Sequence, residues 1–243
     1  MDIVIIGAGA LGSILATHLV EGGNQVTLVA RGRRAAQLEQ NGLSVSGLVN
    51  LRNRCAIVTD PLAVPGARLL IVTVKTYDNE SAIAALSDER FESVFSVANG
   101  VLKNTQLAKR FGPGPVLGCM ADTSGELLDS GEVIFSRNVC LHLGELDGAL
   151  SPRLRAVVRS INDSGIKSQA EPSIETIEWS KFVGWTALLV LAVTTRTTTG
   201  TFLADPNCAL LGATMIREMA AIAAAKNIHI IDQSPLPVAS IVS

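Results

Sequence analysis

Apolar residues recur along this chain with two different periods, and the switches between them mark where elements begin and end. Residues 2–6 (DIVII) are a short β-branched run that fits a strand buried on both faces. A helical pattern follows, with Leu11, Ile14, Leu15, Leu19 and Val20 on one face, and Gly22-Gly23-Asn24 stops it. Residues 25–30 read as a second strand. Short strands are expected over 43–45 and 55–58, and Asp60-Pro61 fits an N-cap followed by proline. Residues 68–74 (RLLIVTV), 93–98 and 116–120 read as three more strands, with helices over 80–86 and 104–110. Beyond Ala121 the pattern changes. The runs 132–135 and 139–143, separated by Ser136-Arg137-Asn138, predict an antiparallel hairpin, then a helix over 152–160 and a strand over 166–170.

Glu171-Pro172 marks a domain boundary. After it nothing resembles a strand-rich unit. A long helix is expected from Ser173 toward Val193, and another from Asp205-Pro206, with Met215, Met219 and Ile222 on a buried face. The predicted fold class is α/β: a Rossmann-type doubly wound parallel sheet with a late antiparallel extension over residues 1–171, then a helical C-terminal substrate or dimerisation domain over 172–243.

Composition narrows the functional classes. Of 243 residues 48% are apolar and 17% charged, enough for a buried core, and with only 4% aromatics that core must rest on aliphatic side chains. The net charge of -2 and the absence of a basic block argue against nucleic acid. The three histidines have no metal-ligand spacing, so no metal is expected. Cys55, Cys119, Cys140 and Cys208 form no CxxC and read as buried free thiols in a reducing cytosol. The apolar start lacks a basic leader and runs straight into glycines, and the longest apolar stretch, 182–193, is shorter than the roughly 18 residues that span a bilayer. A cytoplasmic protein that does not enter membranes is expected.

The first candidate site is Gly7-Ala8-Gly9-Ala10-Leu11-Gly12, between the first strand and the first helix. Gly7 permits a tight turn, Gly9 lets a pyrophosphate approach bare backbone, and Gly12 lets the helix pack close to the sheet. The helix N-terminus adds free N–H groups and partial positive charge. NAD-preferring folds usually carry an acid at the end of the second strand. Here Arg31 stands there, followed by Gly32, Arg33 and Arg34, and a guanidinium attracts a 2′-phosphate. NADP(H) is the expected cofactor. Arg33 and Arg34 also read simply as a solvated basic start to the next helix. Lys75 and Asn99 fall at the carboxyl ends of two predicted strands, where such sheets bind ligands; the plainer alternatives are a surface lysine and an Asn-Gly turn. Lys181 lies among Trp179, Phe182, Val183 and Trp185, where lost hydration would lower its pKa and fit it to donate a proton. By spacing alone it reads equally as a lysine on an exposed face, its stem along the tryptophans.

Taken together, the glycine motif with Ser13, Arg31, Val74-Lys75-Thr76, Asn99-Gly100-Val101 and Glu178-Trp179-Ser180-Lys181 resemble, in order and spacing, the ketopantoate reductase (2-dehydropantoate 2-reductase) family, over residues 1 to about 230. The resemblance implies hydride transfer from NADPH to the C2 ketone of 2-dehydropantoate, giving pantoate, a coenzyme A precursor in pantothenate biosynthesis. It implies Lys181 as the general acid, Asn99 placing the cofactor and Lys181, Lys75 beside it at the nicotinamide end, and Arg31 on the 2′-phosphate. The chain departs from the family pattern at Trp185 and Leu189, where asparagines are usual, and at Leu102, where glycine is usual. An indole in place of an amide removes a hydrogen-bond donor and fills space, so a more apolar 2-keto acid is expected. A later helix with Ser-Met and Thr-Glu features has no counterpart before Ser243, so the C-terminal domain reads as incomplete. The apolar patch this would expose could be covered in a homodimer. Two alternatives stay open: a non-catalytic NADP(H)-binding redox-sensing or partner-binding protein, and a dehydrogenase of the imine- or opine-forming class.

Overall fold

The computed structural model describes residues 1–86, 90–232 and 236–243, and it divides into two compact units, Met1–Ile174 and Glu175–Ser243. In chain order the first unit runs β1 (Asp2–Ile6), α1 (Ala10–Glu21), β2 (Gln25–Val29), α2 (Gly32–Asn41), β3 (Leu43–Gly47), β4 (Leu51–Asn53) and β5 (Ala56–Val58). It continues through β6 (Ala67–Val72), α3 (Asn79–Ile83), β7 (Phe91–Ser96), α4 (Lys103–Phe111), β8 (Leu117–Leu127), β9 (Val133–Glu145), α5 (Pro152–Asp163) and β10 (Ser168–Ala170).

The first sheet is parallel throughout, in the order β5-β2-β1-β6-β7. Strand alternation divides its side chains between two cores. Ile3, Ile5, Leu28, Leu69 and Ile71 bury toward α1. Val4, Ile6, Leu70 and Val72 bury on the other side with Ile83 of α3 and Leu107 and Phe111 of α4. The chain leaves β1 toward β2 and β5, then returns to lay β6 and β7 on the opposite side. The carboxyl ends of β1 and β6 therefore flank the crevice at the switch point where such sheets bind ligands.

Two expectations about this unit need correction. The late antiparallel part does not extend the first sheet. It is a separate mixed sheet, ordered β10-β9-β3-β4 with β8 on β9, and one isolated bridge, Val94 to Val116, links the run 116–120 to the first sheet. The hairpin is also misplaced. Residues 133–145 are one continuous strand paired along its length with β8, and the turn lies at 128–131, where the Gly131 N–H reaches the Leu128 carbonyl. Ser136-Arg137-Asn138 stays extended because cross-strand partners hold it: Arg137 grips Asp122 with two nitrogens and the Ser136 hydroxyl donates to the Ser124 carbonyl. Irregularities in β8 at Asp122/Thr123 and Ser124/Gly125 absorb the mismatch.

The second sheet also changes what α1 is. One apolar face was expected, but Gly12 to Leu19 is buried without a break, because α1 packs against strands of both sheets. Ser13, Thr17 and His18 are thereby buried, and each finds a carbonyl: Ala8, Ser13 and Ser164 respectively.

The second unit is helical as expected. It holds most of α6 (Ile174–Thr195), with α7 (Thr199–Leu203), α8 (Pro206–Ala225) and α9 (Val238–Val242). Asp205 caps α8 by accepting from the Asn207 and Cys208 amides. The buried stripe of α8 is Gly212, Ile216, Ala220 and Ala223; Met215 and Met219 are half-buried and Ile222 is exposed, so the expected face is rotated toward the small residues. Gly184 of α6 allows a close approach, since a Cβ there would stand 2.8 Å from Val238 Cγ2. By length and composition α6 and α8 could each cross a bilayer, a test that the core helices of water-soluble proteins also pass. Over its full length α6 carries charged Glu175, Glu178 and Lys181, which favour a helix packed in protein.

Candidate functional site

The glycine turn is built from three sides. Gly7 follows β1 at φ +104°, a conformation that only glycine adopts easily, and its N–H donates to the Val29 carbonyl at 3.1 Å. Thr73, just past β6, donates its hydroxyl to the Gly7 and Ile6 carbonyls at 2.7 and 2.9 Å. At Gly12 any Cβ would meet the Gly7 carbonyl oxygen at 1.9 Å, so the α1–β1 approach requires glycine. Gly9 is the opposite case: a Cβ there would meet nothing within 4 Å. The tight positions serve the protein, and the open one leaves room for something else.

What could occupy that room follows from α1. It starts at Ala10 with Gly9 as N-cap and no side-chain cap, so its first amides are offered outward with the positive end of the helix dipole. Ala10 and Leu11 are only half-buried and Ala8 is buried. This arrangement suits an anionic diphosphate lying over the backbone.

Arg31, the N-cap of α2, is fully extended in backbone and exposed in side chain. Its two neighbours are not a simple solvated pair. Arg33 donates to the Asp129 carbonyl, as does Gln37, and both thereby brace the β8–β9 turn. Arg34 turns inward: Nε donates to the Ala8 carbonyl at 2.9 Å, Nη2 to Ser13 Oγ at 2.8 Å and Nη1 to the Gly131 carbonyl at 2.8 Å.

Lys75 and Asn99 are both exposed beyond the carboxyl ends of β6 and β7, and their segments are joined, because Thr76 Oγ1 donates to the Asn99 carbonyl at 2.7 Å. Lys103, only 2% exposed, donates to the Gly100 carbonyl and holds the second segment from below. In the second unit Lys181 is half-buried on α6, one turn before Trp185 and two before Leu189, which are 38% and 57% exposed. Trp179 and Phe182 meet edge to face at 5.9 Å. Lys181, Trp185 and Leu189 share one helix face, so two of the three departures from the family pattern form an apolar surface beside the lysine.

Cysteine chemistry is disfavoured. Only Cys119 is fully buried, the other three being half-buried, but burial pushes the Cys55 and Cys140 thiols up to about 11, with Glu171 and Asp122 adding to the effect at Cys140. Sequence reasoning missed Thr73, named Thr76 only as part of a motif, and left Arg34 undecided. The available signal for Thr76 was its place directly after a predicted strand, where loops carry function; Thr73 fell inside that predicted strand.

Comparison with known proteins follows the same lines. A family model described as Ketopantoate reductase PanE/ApbA matches residues 3–148. The chain belongs to the ketopantoate reductase family. It is 32% identical over 203 residues to a 2-dehydropantoate 2-reductase of Archaeoglobus fulgidus, covering 84% of this chain and 67% of that one. To the 2-dehydropantoate 2-reductase of Pyrococcus horikoshii it is 30% identical over 187 residues, 75% of this chain and 60% of that one. The aligned stretch thus spans three fifths to two thirds of these relatives' own length. In fold it is similar to the 2-dehydropantoate 2-reductase from Geobacter metallireducens, with TM-score 0.87 and 22% identity over 100% of this chain and 81% of that one. It is also similar to D-mandelate dehydrogenase in complex with NADH, with TM-score 0.86 and 20% identity over 100% of this chain and 78% of that one. Membership of this family makes the chain an oxidoreductase of the nicotinamide-dependent kind, as its resemblance implied.

Proposed function

We propose that this protein is an NADPH-dependent reductase of a small 2-keto acid, either 2-dehydropantoate or a more apolar relative. The observation that carries the reading is the glycine turn: closed at Gly12, open at Gly9 and facing the uncapped start of α1. Those residues fit a dinucleotide, with the diphosphate over Gly9 and the amides of α1, and Arg31 holding the 2′-phosphate. Lys75 and Asn99 line the nicotinamide end, kept in step by Thr76.

A bound reduced nicotinamide supplies a hydride to the ketone carbon. The carbonyl electron pair moves onto oxygen, and Lys181 gives that oxygen a proton from its ammonium. A positioned cation counts most when the negative charge forms, which is the reason for a lysine in this role. Trp185 and Leu189 offer the substrate's side chain an apolar wall in place of amides, which favours a hydrocarbon substituent on the keto acid. The four free thiols agree with a cytoplasmic enzyme. Val193, Leu210 and Leu211, exposed on α6 and α8, offer apolar surface to a second copy in a homodimer.

The test is NADPH oxidation by the full chain against 2-keto acids with polar and apolar side chains, with Lys181→Ala alongside. The expected result is turnover greatest with an apolar keto acid, and a kcat about 100- to 10,000-fold lower in the variant with NADPH still bound. Equal turnover by the variant removes Lys181 from the chemistry. Tight NADPH binding with no turnover on any keto acid would favour a non-catalytic cofactor-binding protein.

A further inference from the structure

Arg34 stands in an unusual position for a charged side chain. It is half-buried, and its three hydrogen bonds all go to neutral acceptors. Among the described residues no carboxylate forms an ion pair with it, and burial draws its pKa down with no acid to oppose that. A guanidinium kept without a counter-ion loses hydration and recovers only hydrogen bonds, so it must contribute something other than an ion pair.

Its acceptors indicate what. The Ala8 carbonyl takes two donors, Arg34 Nε at 2.9 Å and Ser13 Oγ at 3.2 Å, and the Ser13 hydroxyl is itself held by Arg34 Nη2. In a planar trans peptide the C=O and the following N–H point in opposite directions. Fixing the Ala8 carbonyl toward Arg34 therefore aims the Gly9 N–H the other way. Among the described residues no backbone carbonyl accepts from that N–H, and the space at Gly9 is open. A hydrogen-bond donor has been turned out of the protein and locked there, next to a half-buried positive charge with no carboxylate partner among the described residues.

Resting on the dinucleotide reading above, we infer that Arg34 is a positioning residue for the cofactor's diphosphate, locking the Ala8–Gly9 peptide so that the Gly9 amide faces the phosphate. Arg34 acts on the part of the cofactor that NADH and NADPH share. That separates it from Arg31, assigned to the 2′-phosphate that only NADPH has. Arg34 also holds the Gly131 carbonyl of the β8–β9 turn, but Arg33 and Gln37 hold the Asp129 carbonyl of the same turn without it.

The experiment titrates NADPH, NADH and adenosine 2′-monophosphate, which lacks the diphosphate, into the full wild-type chain and into Arg34→Ala, Arg34→Lys and Ser13→Ala, following intrinsic fluorescence and calorimetry. The expected result is about a tenfold loss of affinity for both dinucleotides in Arg34→Ala, with their ratio unchanged and the monophosphate bound as before. Arg34→Lys should recover part of the loss, and Ser13→Ala should show a smaller loss of the same pattern. A loss confined to NADPH, a loss shared by the monophosphate, or no loss at all would each overturn the inference. If Arg34→Ala does not fold, the lysine and Ser13 variants decide by the same criteria. Failure of the wild-type chain to bind either dinucleotide would instead defeat the underlying cofactor reading.

Discussion

The two units treat the same kind of residue in opposite ways. In residues 1–174 the aliphatic runs are almost wholly buried: Ile3, Ile5, Leu15, Leu69 and Ile71 are at most 1% exposed, and α1 is enclosed by two sheets. In residues 175–243 the helices are equally apolar, yet Leu189, Val193, Leu210, Leu211 and Ile222 are each more than half exposed. Hydrophobicity in the first unit reports a core. In the second much of it lies at the surface, including on the helix that carries Lys181 and Trp185. The first unit holds one turn of backbone in place; the second presents side chains.

That contrast breaks most readily in a pair of truncations. Leu15→Ala, which removes side-chain volume from between two sheets, should cost about 2–5 kcal/mol in denaturant unfolding. Leu189→Ala should change stability by no more than about 0.5 kcal/mol. A comparable loss at Leu189 would mean that its face is part of a core after all.

A second pair sharpens the distinction within the glycine turn. Gly12→Ala drives a Cβ into the Gly7 carbonyl and should cost about 1–3 kcal/mol, seen as a lower Tm. Gly9→Ala meets nothing and has an ordinary φ of -72°, so its Tm should stay close to wild type while NADPH affinity falls about tenfold or more. If Gly9→Ala binds NADPH normally, the open space is not where the diphosphate lies.

The smallest effect concerns His18, enclosed in α1. Its Nδ1 lies 2.8 Å from the Ser164 carbonyl and Nε2 has no partner among the described residues; burial holds its pKa below the usual 6.5, opposed by the Ser164 carbonyl and by Glu21. As pH falls below 6.5 the unfolded chain takes up a proton that the native state resists, so native stability is full above 6.5 and declines through the interval down to the depressed folded value. Unfolding measured at pH 7.5 and 5.5 should show that decline, and His18→Gln should reduce it. An unchanged decline in the variant assigns the pH dependence to other groups.

Much of this was legible in the chain itself. Local chemistry encoded the order of strands and helices, the glycine turn, the Asp60 and Asp205 caps and the helical character of the second unit, because each depends on neighbours within a few residues. The hairpin at Ser136-Arg137-Asn138 was misread because a polar triplet looks like a turn until Asp122 and Ser124 arrive from the adjacent strand. Arg34 could not be separated from Arg33, its identical neighbour, because nothing local distinguishes an arginine in water from one that reaches Ala8.

The sequence alone determined the periodic elements and the bare backbone at Gly9, since these follow from side-chain size, branching and spacing, and its motifs carried the resemblance to a reductase family. Tertiary structure alone decided that α1 is buried all round, that Thr73, Thr76 and Arg34 set the backbone of the site, and which apolar faces stay exposed. Those outcomes depend on contacts between segments tens of residues apart, and pairing over such distances leaves no period in the chain.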